Sequence, residues 1–486
     1  MSTIKDLTPK IVWNNFYLLT RQPRPSKHEE KVRAFLLEWA KERDIEAFAD
    51  EIGNVIMRAP ATKGYENKRG VILQAHMDMV PQKTAETKHD FINDPIETYV
   101  DGDWLGAKGT TLGADNGIGV ALAMSVLEEK DLPHGPVEVL FTTDEETGMT
   151  GANHLEPGIF KGDILLNLDS EDEGELCIGC AGGLDGIADF KYKTLKVPAG
   201  YEAYRIEVKG LQGGHSGMDI SLYRANACKI IARTLLPLLE KYGAKVADIN
   251  AGSLRNAIPF EGRADVLIPS GQLDAAGKEV KKIFADVYEE FKDTDPGAKF
   301  YFSKMEKAPE QYIEDELMLR AVMSILACPA GVIRMSSAFK GLTETSTNLA
   351  MIRCEGGHLR IYSLMRSAVN SAKLQLAEDM RCVFALAGAE FTTEGGYSGW
   401  TPKPDTPVYK VICDVWEKVS GQKMTVGATH GGLECALLGA KYPHWEMASL
   451  GPTIIHPHSP DERVKISTVG NAWEFLKELL KAIPEK

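Results

Sequence analysis

The sequence predicts an α/β protein built on a mostly parallel sheet, with a second, α+β domain inserted into it. Three observations lead there. Through residue 187, short apolar runs alternate with helical patterns, and the runs end in carboxylates or a histidine. Residues 188–397 change to alternating strands and long amphipathic helices, and over 398–486 the first pattern returns. At 486 residues the chain exceeds one ordinary core, so two or more domains are expected.

In chain order, Ser26 and Glu29 have the spacing of a capping box, and Val32, Phe35, Leu36 and Trp39 follow at helical period. Val71–Ala75 is an apolar run ending in His76-Met-Asp78. Asp115 sits in the glycine-flanked turn Thr110–Gly119, ahead of a helical run from Ile118 to Leu127. Val137–Thr143 reads as a strand ending in Asp144-Glu145-Glu146, and Ile164–Leu168 as another ending in Asp169. Strands alternating with helices imply a parallel sheet with ligands beyond the strands' carboxyl ends. Those are the places of His76, Glu145, Glu146 and Asp169.

In the middle section, strand and helix patterns follow in order at 204–209, 225–242, 264–268 and 275–291. A similar order recurs at 299–303, 315–327, 346–353, 358–364 and 372–387. This reads as two β-α-β-β-α-β units in tandem. After the turn-rich link 395–404, Pro407–Val419 reads as a helix, Trp445–Leu450 as a strand and Thr468–Ile483 as a closing helix. The loop Gly451–Asp461 carries His456 and His458. A ligand there must return to the first segment's strand ends, which makes 188–397 an insertion into one discontinuous domain.

The net charge of −14 argues against nucleic acid and anionic membrane surfaces as partners. No stretch approaches the ~20 apolar residues that span a bilayer. Met1-Ser-Thr-Ile-Lys-Asp lacks the pattern of a secretory signal. Cys177 and Cys180 form the one C-x-x-C pair and run into a turn, Ala181-Gly-Gly183, which argues against a redox role. A cytoplasmic protein with reduced thiols is expected.

Two divalent metals about 3.5–4 Å apart need one bridging carboxylate and about two further ligands each. Asp115 shared, His76 and Asp169 on one ion, and Glu146 and His458 on the other meet that count. Zinc suits such donors, as do cobalt and manganese. Asp78 lies two residues beyond His76, on the same side of an extended chain, and is placed to fix its tautomer. Glu145 and Glu146 are adjacent, so one binds metal and the other is free to carry a proton. Taken singly, each has a plainer reading: Asp115 as a helix cap, Glu145-Glu146 as a solvated acidic turn.

Leu73–Gln82, Gly109–Gly119, Asp144–Gly148, Gly210–Gly217, Leu254–Pro259, His430–Cys435, Gly451-Pro-Thr and Pro457–Asp461 run almost end to end in one order. In these stretches the chain resembles the dinuclear-zinc metallopeptidases, the family of carnosinases, carboxypeptidase G, aminoacylases and succinyl-diaminopimelate desuccinylases, and within it the bacterial Xaa-His dipeptidase branch. The resemblance implies a zinc-peptidase catalytic domain, 1–187 with 398–486, and a lid, 188–397, of two ferredoxin-like units. It implies His76, Asp115, Glu146, Asp169 and His458 as zinc ligands, Glu145 as general base and Asp78 as the histidine-orienting aspartate. It also implies a cis peptide at Asp115–Asn116, a lid histidine in His215 that polarises the scissile carbonyl, and substrate contacts from Asn256 and Arg366. The segment Ser363–Ser367 around Arg366 departs somewhat from the wider family's pattern.

The reaction so implied is hydrolysis of Xaa-His and related dipeptides. The alternatives are a deacylase acting on N-acyl amino acids and a metal-free regulatory relative. Glu434 is expected to meet the substrate's α-ammonium group. His215 is expected to serve its own chain's site, which leaves a homodimer open. His458 is preferred to His456 as ligand from its Pro-His-Ser-Pro context, and His430 is left between pocket lining and packing.

Overall fold

The computed structural model describes residues 3–486. The chain forms two compact units. Unit 1 comprises the residues to Gly179, Trp400–Ala428 and Leu433–Lys486; unit 2 comprises Cys180–Gly399 and Thr429–Gly432.

Unit 1 is organised by an eight-stranded sheet. Across it run Glu46–Ala49, Val55–Ala59, Val137–Thr142, Val71–His76, Ile164–Asn167, Glu446–Ser449, Glu175–Cys180 and Thr425–Thr429. The four strands from Val137–Thr142 to Glu446–Ser449 are parallel, and antiparallel neighbours flank them. Val71–His76, Val137–Thr142 and Ile164–Asn167 are buried along their whole length, which is why they read as near-continuous apolar runs. Register then assembles the site. Gln74 pairs with Asn167 and His76 with Thr142, so the residues just past those pairs emerge side by side at one edge.

A second sheet brings in the distant histidine. Ile454–Ile455 and Arg463–Lys465 pair as a hairpin around the His458 loop, and Arg463–Lys465 pairs with Trp104–Gly106, just ahead of the Asp115 turn. The helix Ala114–Glu128 is apolar nearly all round and correspondingly buried. Its first residues are not helical: Asp115 and Asn116 depart from helical φ/ψ, Gly113 ahead of them has φ +69°, and the Asp115–Asn116 peptide is cis. Gly119 has no room for a β-carbon, which would strike the Asn116 carboxamide and the Leu168 carbonyl.

The expected capping box does not form. The helix runs Glu30–Lys41, and Glu29 accepts from the Asp144 and Lys27 amides (3.1 and 2.8 Å). Ser26 instead donates to Asp78 (2.7 Å), a long-range bond that outcompetes the local cap. The C-x-x-C pair lies in the strand Glu175–Cys180, not at a helix start.

Unit 2 holds a nine-stranded sheet, ordered Lys299–Lys304, Tyr201–Lys209, Gly262–Pro269, Lys245–Ala251, Thr343–Glu355, His358–Ser367, Gly182–Lys191 and Glu390–Glu394, with Gly331–Met335 beside Thr343–Glu355. Ile231, Leu235, Val280, Val322 and Phe384 belong to its core. The tandem order expected from sequence is corrected here. Lys299–Lys304 pairs with Tyr201–Lys209 and closes the first set of strands. The strand that pairs with both His358–Ser367 and Glu390–Glu394 is Gly182–Lys191, which precedes the first set. One set is thus nested inside the other. Tyr201–Lys209 shows its alternation because one face is solvated, whereas Gly182–Lys191 is mostly buried and glycine-rich and gives no such signal.

Candidate metal centre

Asp115 stands between two imidazoles. Its Oδ1 is 3.0 Å from His76 Nε2, and its Oδ2 is 3.0 Å from His458 Nε2. His76 Nε2 also lies 3.4 Å from Asp169, and His458 Nε2 lies 3.0 Å from Glu146. Two triads therefore share one carboxylate, His76–Asp115–Asp169 and Asp115–Glu146–His458, each with ligand atoms within 4.8 Å of one another. Asp78 Oδ1 is 3.3 Å from His76 Nδ1 and leaves Nε2 facing the carboxylates. The two Asp78 oxygens also accept from the Glu145 and Glu146 amides (3.1 and 3.3 Å), so one side chain orients an imidazole and the turn after the strand Val137–Thr142.

The electrostatics are those of a site short of positive charge. Burial raises Glu145 well above the carboxylate range; the His76 charge opposes this, and Asp169, Glu146 and Glu434 add to it. Burial also raises Glu146 and Asp169 against the pull of the histidines. For Asp115 burial acts in the same direction, but hydrogen bonds from His458 and His76 outweigh it and hold the carboxyl below the usual range. Hydrogen bonds from Asp115 and Glu146 push His458 up to about 11. The Glu146 Oε1 atom is buried without a hydrogen-bond partner. Imidazole and carboxylate donors gathered this closely, with an orphaned oxygen among them, fit hard-to-borderline divalent cations.

Five of the sequence-derived candidates, together with Glu145 and Asp78, thus converge in unit 1. Glu434, expected at the substrate's α-ammonium group, also belongs to unit 1. It is fully buried, and its Oε2 accepts from Gln74 and Thr142 (2.6 Å each) beneath the strand ends. Burial pushes its carboxyl up to about 7. Its Oε2 ties the strands together, while its Oε1 is buried without a hydrogen-bond partner. His456 is exposed, and its carbonyl accepts from Ser459.

His215, Asn256, Arg366 and His430 belong to unit 2. His215 Nδ1 accepts from the Gly217 and Met218 amides (3.3 and 3.1 Å), which leaves the ring proton on Nε2. Asn256 is exposed, and its carbonyl accepts from the Ser216 amide (2.8 Å). Arg366 is buried, its Nε 3.4 Å from Ser216 Oγ. His430 is buried too, 2.7 Å from Ser346 Oγ; burial, and after it the charges of Arg366 and His215, push it down to about 4.

Sequence reasoning missed Ser26, Asn116, Arg24 and Glu462. Asn116 donates to Asp169. Arg24 and Glu462 hold the backbone of the Asp115 turn, from far along the chain. Burial, then the Asp115 charge, push the Glu462 carboxyl up to about 7 against the backbone bonds it accepts. No local pattern marks any of the four for these contacts.

Parallel strands that end in paired imidazole and carboxylate triads define an α/β protein with a candidate two-metal site. Residues 72–482 match the family model described as Peptidase family M20/M25/M40, and the chain belongs to that family. It is 40% identical to the cytosol non-specific dipeptidase of Escherichia coli (strain K12) over 492 aligned residues, all of both chains. The aminoacylhistidine dipeptidase structure from Vibrio alginolyticus is 43% identical, with a TM-score of 0.90, over 100% of this chain and 99% of that one. Aminopeptidase PepT from Bacillus cereus, 16% identical with a TM-score of 0.57 over 98% and 99% of the chains, shares the fold.

Proposed function

We propose that this protein is a cytoplasmic dipeptidase that hydrolyses Xaa-His and related dipeptides with two bound divalent ions, zinc by the donor set. The observation that carries the reading is Asp115, with each oxygen 3.0 Å from a different imidazole. Full-length similarity to a non-specific dipeptidase and an aminoacylhistidine dipeptidase supports the substrate class. No helix among the described residues is long and apolar enough to cross a membrane.

His76 and Asp169 would hold one ion, Glu146 and His458 the other, with Asp115 common to both. When bound, such ions polarise a carbonyl and acidify water. Glu145 takes a proton from the attacking water and delivers it to the departing amine. Asp78 fixes the His76 ring and the Glu145 backbone. Unit 2 is read as a lid of two β-α-β-β-α-β units, one nested in the other. In it the Nε2–H of His215 suits a carbonyl oxygen that gains charge, and Asn256 and Arg366 suit the rest of a dipeptide, Arg366 its carboxylate.

The test is a hydrolysis panel on protein stripped of metal and refilled with zinc, cobalt or manganese. Free dipeptides, among them Xaa-His, should be cleaved and their N-acetylated forms should not. Preference for the N-acetylated compounds would mean a deacylase. No metal-dependent turnover with either set would overturn the reading.

A further inference from the structure

Glu462 is 2% exposed, and its carboxylate accepts four consecutive backbone N–H groups. Oε2 takes those of Leu112 and Gly113 (2.8 and 3.0 Å), and Oε1 those of Ala114 and Asp115 (2.7 and 3.2 Å). Behind the same turn lies Arg24, also buried, which donates to the carbonyls of Gly113, Met77 and Asp78. Glu462 follows His458 by four residues and immediately precedes the strand Arg463–Lys465, which pairs with Trp104–Gly106. Its backbone is therefore fixed by a sheet, and its amide donates to the Ser459 carbonyl (3.0 Å).

Four donors on one side chain require a group that accepts at every lone pair and donates nowhere. An ionised carboxylate is such a group. A carboxamide is not: its NH2 would face two backbone N–H groups. Aspartate keeps the acceptors but falls one methylene short.

We propose that Glu462 is a positioning residue for the metal centre, a clamp that holds the Asp115 backbone at a fixed distance from the His458 loop. His458 and Asp115 are 343 residues apart in sequence and must present their ligand atoms to the same ion. With the clamp in place, Asp115 directs one oxygen at each imidazole before any ion arrives. Without it, the turn relaxes and the shared carboxylate loses its aim at both. The inference rests on the two-metal reading above.

The experiment is a chelator-competition titration of metal affinity and stoichiometry at pH 8, on wild-type protein, Glu462→Gln and Glu462→Asp, with thermal melts of the metal-free proteins alongside. The control is Glu138→Gln. Glu138 is another buried carboxylate that accepts two backbone N–H groups (2.8 Å each), but it lies at the start of its strand, the end away from the ligands. The clamp predicts a 10–100-fold loss of metal affinity in the Glu462 variants, the usual scale for a group that orients ligands. Glu138→Gln should lower the melting temperature and leave affinity unchanged. A folded Glu462 variant with wild-type affinity for both ions overturns the proposal. So does failure of both variants to fold, which would assign Glu462 to the fold alone. A wild-type protein that binds no metal in the same titration would instead overturn the two-metal reading.

Discussion

Glu145 and Glu146 are neighbours that Asp78 holds alike through their amides and that burial raises alike, and one contact separates them. Glu146 Oε2 is 3.0 Å from His458, which commits it to the cluster. Glu145 is held through its backbone amide by Asp78, and its carboxyl is raised by burial among other acids. A raised carboxyl beside the cluster is suited to accept a proton and release it. Glu145→Gln should therefore keep both metals while kcat falls by a factor of roughly 10²–10⁴, the usual worth of general acid–base catalysis. Metal analysis beside steady-state kinetics checks this. Loss of a metal with the activity would make Glu145 a ligand.

At the scale of elements, the strands of unit 1 were legible because burial on both faces leaves an unmistakable apolar run, as in Val71–His76 and Ile164–Asn167. Their polar ends were legible too, since ligands in such sheets lie beyond the carboxyl ends. Contacts between distant elements were not. Ser26 reaches Asp78, and Glu462 reaches Leu112, without any local periodicity to announce it. The segment Thr429–Gly432 is another case. Separated from Glu434 by Leu433 alone, it groups with unit 2, where the Ala181 amide donates to the Thr429 and Gly431 carbonyls. His430 is packed there against the strand Thr343–Glu355 through Ser346. Its pKa is depressed to about 4 from 6.5, so the folded protein keeps it neutral while the unfolded chain protonates it below about 6.5. Its contribution to stability is then complete above pH 6.5 and is lost as pH falls toward 4, by at most about 3 kcal/mol. Melting temperatures from pH 7.5 to 4.5 should fall less steeply in His430→Gln than in wild type. Parallel curves would show that His430 does not titrate abnormally.

At the scale of the molecule, the candidate residues fall in both units. The metal-type ligands and Glu145 belong to unit 1, while His215 and Arg366 belong to unit 2. The nesting of one strand set inside the other gives the chain a larger insertion than a single β-α-β-β-α-β unit, and on that ground His215 is expected to serve its own chain. Two inactive variants, Glu145→Gln and His215→Ala, should then regain no activity when dissociated, mixed and re-paired. If His215 served a partner, random pairing would restore about a quarter of the sites, because each mixed dimer rebuilds one.

The strand Glu446–Ser449 lies between Ile164–Asn167 and Glu175–Cys180 in the sheet of unit 1. That placement has a consequence for the chain as it leaves the ribosome. When Gly179 has been made, the neighbour that the Ile164–Asn167 edge requires is still unsynthesised, and so is His458. At a synthesis rate of about 5–20 residues per second, the 279 residues from 179 to 458 (458 − 179) take roughly 15–60 s. A sheet formed by then would present an unpaired, apolar parallel edge until Glu446–Ser449 is made, and its ligand cluster would lack one of its two histidines until residue 458. Unit 2, almost all of it contained in Cys180–Gly399, can complete its core in the meantime. Unit 1 begins first and is finished last, so its half-built edge is where a nascent-chain chaperone would find its longest opportunity.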